Sequence, residues 1–175
     1  MYSFTSRIRF SEVDTHLNLT LGSVIDYFQD CSTFHSEAVG MNIARLSAMK
    51  RAWILSSWQI VPVRFPKLGE KVTISTWPYD FHGFFGYRNF TMTGEDGECL
   101  VYANSIWIYM DTETGRPVKV DQEYEADENG EASLLDTESL QLDTPEDVWL
   151  YEEDGYLCLE YSHVDANDGY YVVVY

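Results

Sequence analysis

The stretch TLGSVIDYFQDCSTFHSEAVG, residues 20–40, decides the fold of this chain. Its apolar positions recur every three or four residues, which is the spacing of one helix face over about five turns. Thr20 suits the N-cap because its hydroxyl can accept a backbone N–H, and Gly40 suits the position after the helix because it tolerates positive φ. The stretch therefore predicts one long amphipathic helix. The positions on its predicted apolar face are Leu21, Val24, Ile25, Phe28, Cys31, His35, Ala38 and Val39.

The segments on either side of this helix have the alternation of strands. Residues 2–11 alternate with a period of two, from Tyr2 to Phe10, which predicts a half-buried strand. After a short polar or helical stretch at 42–51, Gly-containing turns separate four more predicted strands, and their short spacing predicts an antiparallel meander. The sheet has to wrap the helix, because the strands at 52–64 and 99–110 are too apolar for both faces to contact water. The fold class is α+β. The four later strands are predicted at 53–63, 71–77, 86–93 and 100–110.

Charge divides the chain near residue 120. The net charge is −18, yet residues 1–120 carry only −1, and the last 55 residues hold 17 acids and no base. This asymmetry predicts three regions: a domain at 1–120, an acidic linker at 121–147, and the start of a second, incomplete domain at 148–175. It disfavours nucleic acid as a partner, because binding a phosphate backbone requires a basic face.

Composition also bears on the compartment. No apolar run approaches the roughly 18 residues of a membrane span, and the first residues do not resemble a signal peptide. The three cysteines (Cys31, Cys99 and Cys158) are odd in number and widely spaced, which is typical of a reducing compartment. We therefore expect a cytoplasmic protein. No Cys/His cluster suggests a metal site.

A short phrase occurs twice. Residues 8–14 read IRFSEVD and residues 159–165 read LEYSHVD, each an alternating run that leads into Ser-x-Val-Asp. A hairpin is predicted over 149–161, just before the second copy ends, and residues 170–175 are predicted as a strand. The repeat suggests two copies of one domain, with the second incomplete. The acid that closes each copy, Asp14 or Asp165, is the first candidate for chemistry.

An ordered set of motifs carries a family resemblance. It runs Trp58-x-Ile60, Phe65-Pro66-x-x-Gly69-Glu70-x-Val72-x-Ile74-x-Thr76-Trp77, Gly83-x-x-Gly86-x-Arg88-x-Phe90 and Ala103-x-Ser105-x-Trp107-x-x-Met110-Asp111-x-x-x-x-Arg116-Pro117. This pattern resembles the N-terminal half of acyl-acyl carrier protein (acyl-ACP) thioesterases, which consist of two fused hotdog domains. The resemblance implies a hotdog fold, in which a sheet wraps a long helix. It also implies hydrolysis of acyl-ACP to free fatty acid in fatty acid biosynthesis, with acyl carrier protein as partner and no cofactor. A homodimer is a further expectation.

The same resemblance implies where catalysis takes place. The family motif Asp-x-Asn-x-His-Val-Asn-Asn-x-x-Tyr lies in the second domain, and Asp165, Asn167 and Tyr175 match it here. Asp165 would orient or deprotonate water, and Asn167 would hold that water or the thioester carbonyl by a hydrogen bond. Gly169 stands at the histidine position, and Tyr171 and Val172 at the paired asparagines. Two alternatives therefore stay open: a non-catalytic acyl-binding or dimerising module, and an acyl-CoA thioesterase that uses Asp14 in a dimer.

A tail pocket is expected between helix and sheet, because an acyl chain needs a dry apolar site. The resemblance implies that this first domain sets the preferred chain length. The alternative is that the candidate residues are ordinary core, as Asp14 would be an ordinary turn residue and His35 a satisfied core histidine. Arg88, at a matched family position, is expected to pair with a buried acid or to contact the phosphopantetheine arm. The candidate pocket residues are Val24, Ile25 and Phe28 on the helix, and Trp53 and Trp58 on the strand after it.

Overall fold

A computed structural model describes residues 1–120 together with the backbone of residues 148–153, 156–161 and 170–173. The long helix, α1, spans Leu21–Ala38. The Thr20 hydroxyl accepts the backbone N–H of Ser23 at 3.2 Å, and Gly40 follows the helix with a φ of +74°. Both helix signals in the sequence are therefore confirmed. A short second helix, α2, spans Ile43–Ala48.

The sheet forms from the predicted strands with small changes of boundary. Strand β2 begins two residues earlier than predicted, and β3 continues five residues beyond Trp77. The strands are β1 (Tyr2–Arg7), β2 (Arg51–Pro62), β3 (Lys71–His82), β4 (Phe85–Thr93), β5 (Cys99–Asp111) and the two-residue β6 (Arg116–Pro117).

The strand order corrects the predicted meander. All pairings are antiparallel and follow the order β1-β3-β4-β5-β2, so only β3, β4 and β5 form a meander. Strand β2 pairs with β5 rather than with β3, which follows it in the chain, because β1 occupies the free edge of β3. The connection at 63–70 includes Pro66 and carries the chain from one side of the β4-β5 pair to the other instead of closing a tight hairpin.

The first strand ends earlier than the alternation predicted. The chain leaves the sheet after Arg7 and forms a 3₁₀ turn at Phe10–Glu12. The Glu12 carboxylate accepts the backbone N–H of Arg9 at 2.7 Å, which closes this turn. Phe10 consequently lies 78% exposed, whereas Ile8 is buried as expected.

The hydrophobic core lies between α1 and the concave face of the sheet, which we call the inner face. Val24, Phe28 and Cys31 of α1 pack there against side chains from all the long strands. A curled antiparallel sheet around a central helix is the hotdog fold, as expected. The sheet side of the core includes Trp58, Ile60, Val72, Ile74, Phe90, Met92, Val101 and Ala103.

The backbone described beyond residue 120 agrees with two further predictions. Strands β7 (Val148–Glu153) and β8 (Tyr156–Tyr161) form the expected hairpin, and β9 (Tyr170–Val173) is a strand. Strand β9 pairs antiparallel with β2 through residues 57–60. The predicted linker at 121–147 and the junction at 162–169 lie outside the described residues. In the described part of the chain, no helix has the length and hydropathy of a membrane span.

Candidate functional site

Three of the predicted tail-pocket residues meet in one packed aromatic cluster. Val24 and Phe28 are fully buried, and Trp58 is 2% exposed. The Phe28 ring centroid lies 5.1 Å from that of Phe90 and 6.0 Å from that of Trp58, and the Trp58 and Phe90 centroids are 4.8 Å apart. Ile25 is partly buried and packs against this core. All four candidate residues therefore lie in or against the core between α1 and the sheet.

Trp53 lies in a separate cluster on the inner face. Its ring centroid is 4.7 Å from that of Tyr109 and 5.9 Å from that of Phe81. A Cβ on Gly86 would lie 3.0 Å from the Trp53 ring and 3.1 Å from the Phe81 ring, so a larger residue there would require these rings to shift. The structure therefore brings Trp58 to the helix but places Trp53 beyond the aromatic cluster around Phe28.

Polar groups cross the middle of the inner face on adjacent strands. Arg88 of β4 pairs in register with Ser105 of β5, which in turn pairs with Trp58 of β2. The Arg88 Nη1 lies 3.0 Å from His35 Nδ1 and 3.2 Å from Thr76 Oγ1. In the described residues these partners stand in place of a buried acid, which was one of the two expected partners of Arg88; the other, the phosphopantetheine arm, stays a prediction. His35 is bonded as expected and also stacks on Tyr2, with ring centroids 6.0 Å apart.

Two hydrogen-bond donors of this row are the Trp58 indole N–H and the Arg88 guanidinium. The indole Nε1 of Trp58 is buried and has no hydrogen-bond partner in the described part of the chain. Burial lowers the pKa of Arg88 to about 10, so the guanidinium is still cationic at neutral pH. Burial raises the pKa of the neighbouring Cys31 to about 12, which keeps that thiol protonated and unreactive. The row therefore combines a cation with an unsatisfied N–H in a largely apolar setting.

A second polar cluster, missed by the sequence analysis, surrounds Glu12 at the start of α1. The Glu12 carboxylate is 8% exposed and accepts a hydrogen bond from the Tyr27 hydroxyl at 2.8 Å. Burial raises the pKa of Glu12, but hydrogen bonds from Arg9 and Tyr27 outweigh burial, and the net pKa is lowered. The three-residue spacing of Arg9 and Glu12 was the sequence feature that could have predicted this cluster. The cluster opens on a surface depression of about 250 Å³ that Ser11, Ser23, Asp26 and Asp30 also line.

Asp14 is used by its own turn. Its Oδ1 accepts the backbone N–H of His16 at 2.8 Å and that of Asn18 at 2.9 Å. The carboxylate is exposed and lies in the loop before α1. This arrangement matches the expected turn residue. The predicted catalytic residues Asp165 and Asn167 lie outside the described residues, so their roles stay predictions.

The hotdog fold defines the structural class of this chain, and comparison with known proteins identifies its family. The model of the acyl-ACP thioesterase N-terminal domain matches residues 1–127. The chain therefore belongs to the acyl-ACP thioesterase family.

Individual relatives agree with this assignment. A chloroplastic acyl-acyl-carrier-protein hydrolase of Cuphea viscosissima is 27% identical over 128 residues, which is 66% of this chain and 30% of the relative. A solved acyl-ACP thioesterase from Bacteroides thetaiotaomicron superimposes with a TM-score of 0.65 at 28% identity, over 67% of this chain and 49% of that one. A provisionally assigned oleoyl thioesterase from Lactobacillus plantarum gives 0.68 at 32% identity, over 70% and 48%. The chain thus spans about a third of its curated plant relatives and half of these bacterial structures.

Proposed function

We propose that this chain is the substrate-holding part of a thioesterase that hydrolyses acyl-ACP to free fatty acid in fatty acid biosynthesis. The observation that carries the proposal is the family match over residues 1–127, which include the long helix and the strands that surround it. Within that domain, an apolar cluster of Val24, Phe28 and Trp58 lies between helix and sheet, where an acyl tail would be kept from water. The domain's role is to bind and orient the tail.

Hydrolysis itself is assigned to the second domain. Water must add to the thioester carbonyl, the carbon–sulfur bond must break, and the leaving sulfur must take up a proton. Asp165 would orient or deprotonate the water, and Asn167 would hold the water or the carbonyl oxygen. Both assignments rest on the family motif. Gly169 at the motif's histidine position favours a second candidate function, a non-catalytic module that binds acyl chains.

A free-thiol release assay separates these functions. The chain is given acyl-ACP and acyl-CoA, and Asp165→Ala and Asp14→Ala variants are measured beside it. Turnover of acyl-ACP that is lost in Asp165→Ala supports the proposal. Turnover lost only in Asp14→Ala would instead support an acyl-CoA thioesterase built on the first junction. Acyl binding without any turnover would support the non-catalytic module.

Docking of acyl carrier protein is proposed for the basic side chains of the first domain. The carrier is acidic, so a complementary surface has to be basic, and every Lys and Arg lies at or before Lys119. Arg51 is unsuitable for a test because it forms a salt bridge of 2.7 Å with Asp111. We expect Lys50→Glu and Lys67→Glu together to raise KM for acyl-ACP and to leave KM for a small acyl thioester unchanged. Equal effects on both substrates would exclude docking at these positions.

A further inference from the structure

We propose that Arg88, Ser105 and Trp58 form a binding site for a hydrogen-bond-accepting oxygen carried by the acyl chain. This inference rests on the proposed function, because it specifies the class of acyl chain that the domain holds. We call the three residues the inner donor row.

The register of the sheet brings the inner donor row together. Ser105 is the direct cross-strand partner of Arg88 on one side and of Trp58 on the other. Neighbouring strands are roughly 4.8 Å apart, so the three Cα atoms span about 10 Å. Directly opposed residues on adjacent strands point to the same face, and Trp58 belongs to the core beneath α1. One small oxygen-bearing group can therefore reach more than one member of the row.

Each member retains a donor. Trp58 is 2% exposed, and its Nε1–H is buried without a partner in the described residues. Ser105 is 1% exposed and accepts a 2.7 Å hydrogen bond from Trp107 Nε1, which leaves its own hydroxyl hydrogen to donate. Arg88 uses Nη1 for its hydrogen bonds to His35 and Thr76 within the described residues, which leaves its other guanidinium N–H groups to donate. A buried donor without an acceptor costs free energy, and an oxygen bound at the inner donor row would remove that cost.

Charge and surroundings define the ligand. The described part of the chain gives Arg88 no carboxylate, and a half-buried cation is stabilised by an anionic or strongly accepting oxygen. The adjacent row of the inner face is apolar, formed by Phe90, Ala103 and Ile60. The fitting ligand is a hydrocarbon chain that carries an oxygen away from the thioester. A carboxylate would bind most tightly, followed by a hydroxyl or oxo group.

Binding of non-hydrolysable analogues tests the proposal. Pantetheine amides of one chain length, ending in a methyl, a hydroxymethyl or a carboxylate group, are titrated into the chain and followed by calorimetry. We expect the carboxylate-ended analogue to bind about tenfold more tightly than the methyl-ended one, as a charge-assisted hydrogen bond allows. Arg88→Met should abolish this preference, so that the carboxylate-ended and methyl-ended analogues bind this variant with equal affinity.

Two tryptophan variants provide the matched control. Trp58→Phe removes one buried N–H and should weaken binding of both oxygen-bearing analogues by about threefold or more. Trp77→Phe makes the same change on the opposite face of the sheet and should weaken neither. Equal affinity for all three chain ends in the unmodified protein would overturn the oxygen site and leave the acyl-holding function standing. Failure of every analogue to bind would overturn that function as well.

Discussion

Replacing Phe28 with alanine tests whether the aromatic cluster carries the stability of the hotdog domain. Phe28 is fully buried, with Phe90 and Trp58 at centroid distances of 5.1 and 6.0 Å. Truncating a buried phenylalanine costs about 3–5 kcal/mol through lost transfer energy and the remaining cavity. A domain of this size has a total unfolding free energy of roughly 5–15 kcal/mol, so the variant should lose a large fraction of it. With a urea dependence of at most about 3 kcal/mol per molar, the unfolding midpoint should fall by at least about 1 M.

Phe34 supplies a control on the same helix. It is 41% exposed and contacts the Phe4 ring edge-on, with centroids 5.4 Å apart. Phe34→Ala should therefore cost only about 1 kcal/mol, mainly the aromatic pair. Both variants are unfolded in urea and followed by tryptophan fluorescence and far-ultraviolet circular dichroism. Similar midpoints for the two variants would refute the assignment of Phe28 to a tightly packed core.

Two more variants test local features of the structure. Hydrogen bonds hold the pKa of folded Glu12 below its ordinary 4.5, so the stability that Glu12 contributes should be complete above pH 4.5 and be lost as the pH falls through the lowered pKa. Glu12→Gln should therefore lower the urea midpoint at pH 7 and flatten the pH dependence of that midpoint in the acid range. An unchanged acid slope would contradict this assignment. Gly86→Ala should cost about 1–3 kcal/mol because its Cβ would lie 3.0 Å from Trp53 and 3.1 Å from Phe81. Gly22→Ala, in a helix with nothing within 4 Å, should stabilise by about 0.5–1 kcal/mol, and thermal unfolding that showed the same sign for both would contradict the packing at Gly86.

The helix was predictable because its signals are local. Thr20 caps the start of the helix and Gly40 follows its end, and both effects depend only on neighbouring backbone atoms. The spacing of Val24, Phe28 and Cys31 follows from the helical period alone. The 3₁₀ turn at Phe10–Glu12 was not predicted. Its cause is the carboxylate of Glu12, held by Arg9 and by Tyr27 from a helix that begins nine residues later.

The composition of the inner face was less accessible from sequence. Strict alternation along β2 would place Trp53 and Leu55 on the face opposite Trp58 and Ile60. A bulge between Leu55 and Ser57 shifts the register, so that all four pair with residues of one face of β5. Alternation alone gives no reason for Trp53 and Trp58 to share a face.

The sequence by itself determined the elements, the α+β class and, through its ordered motifs, the family of this protein. Each follows from short-range periodicity, capping chemistry or a pattern of residues along the chain. The tertiary structure decided that β2 pairs with β5 rather than with β3, and that Arg88, Ser105 and Trp58 lie side by side. These residues are 17 to 47 positions apart, and strand order and bulges set their meeting. The partner of each strand depends on where the other strands of the sheet lie, and no local stretch of sequence carries that information.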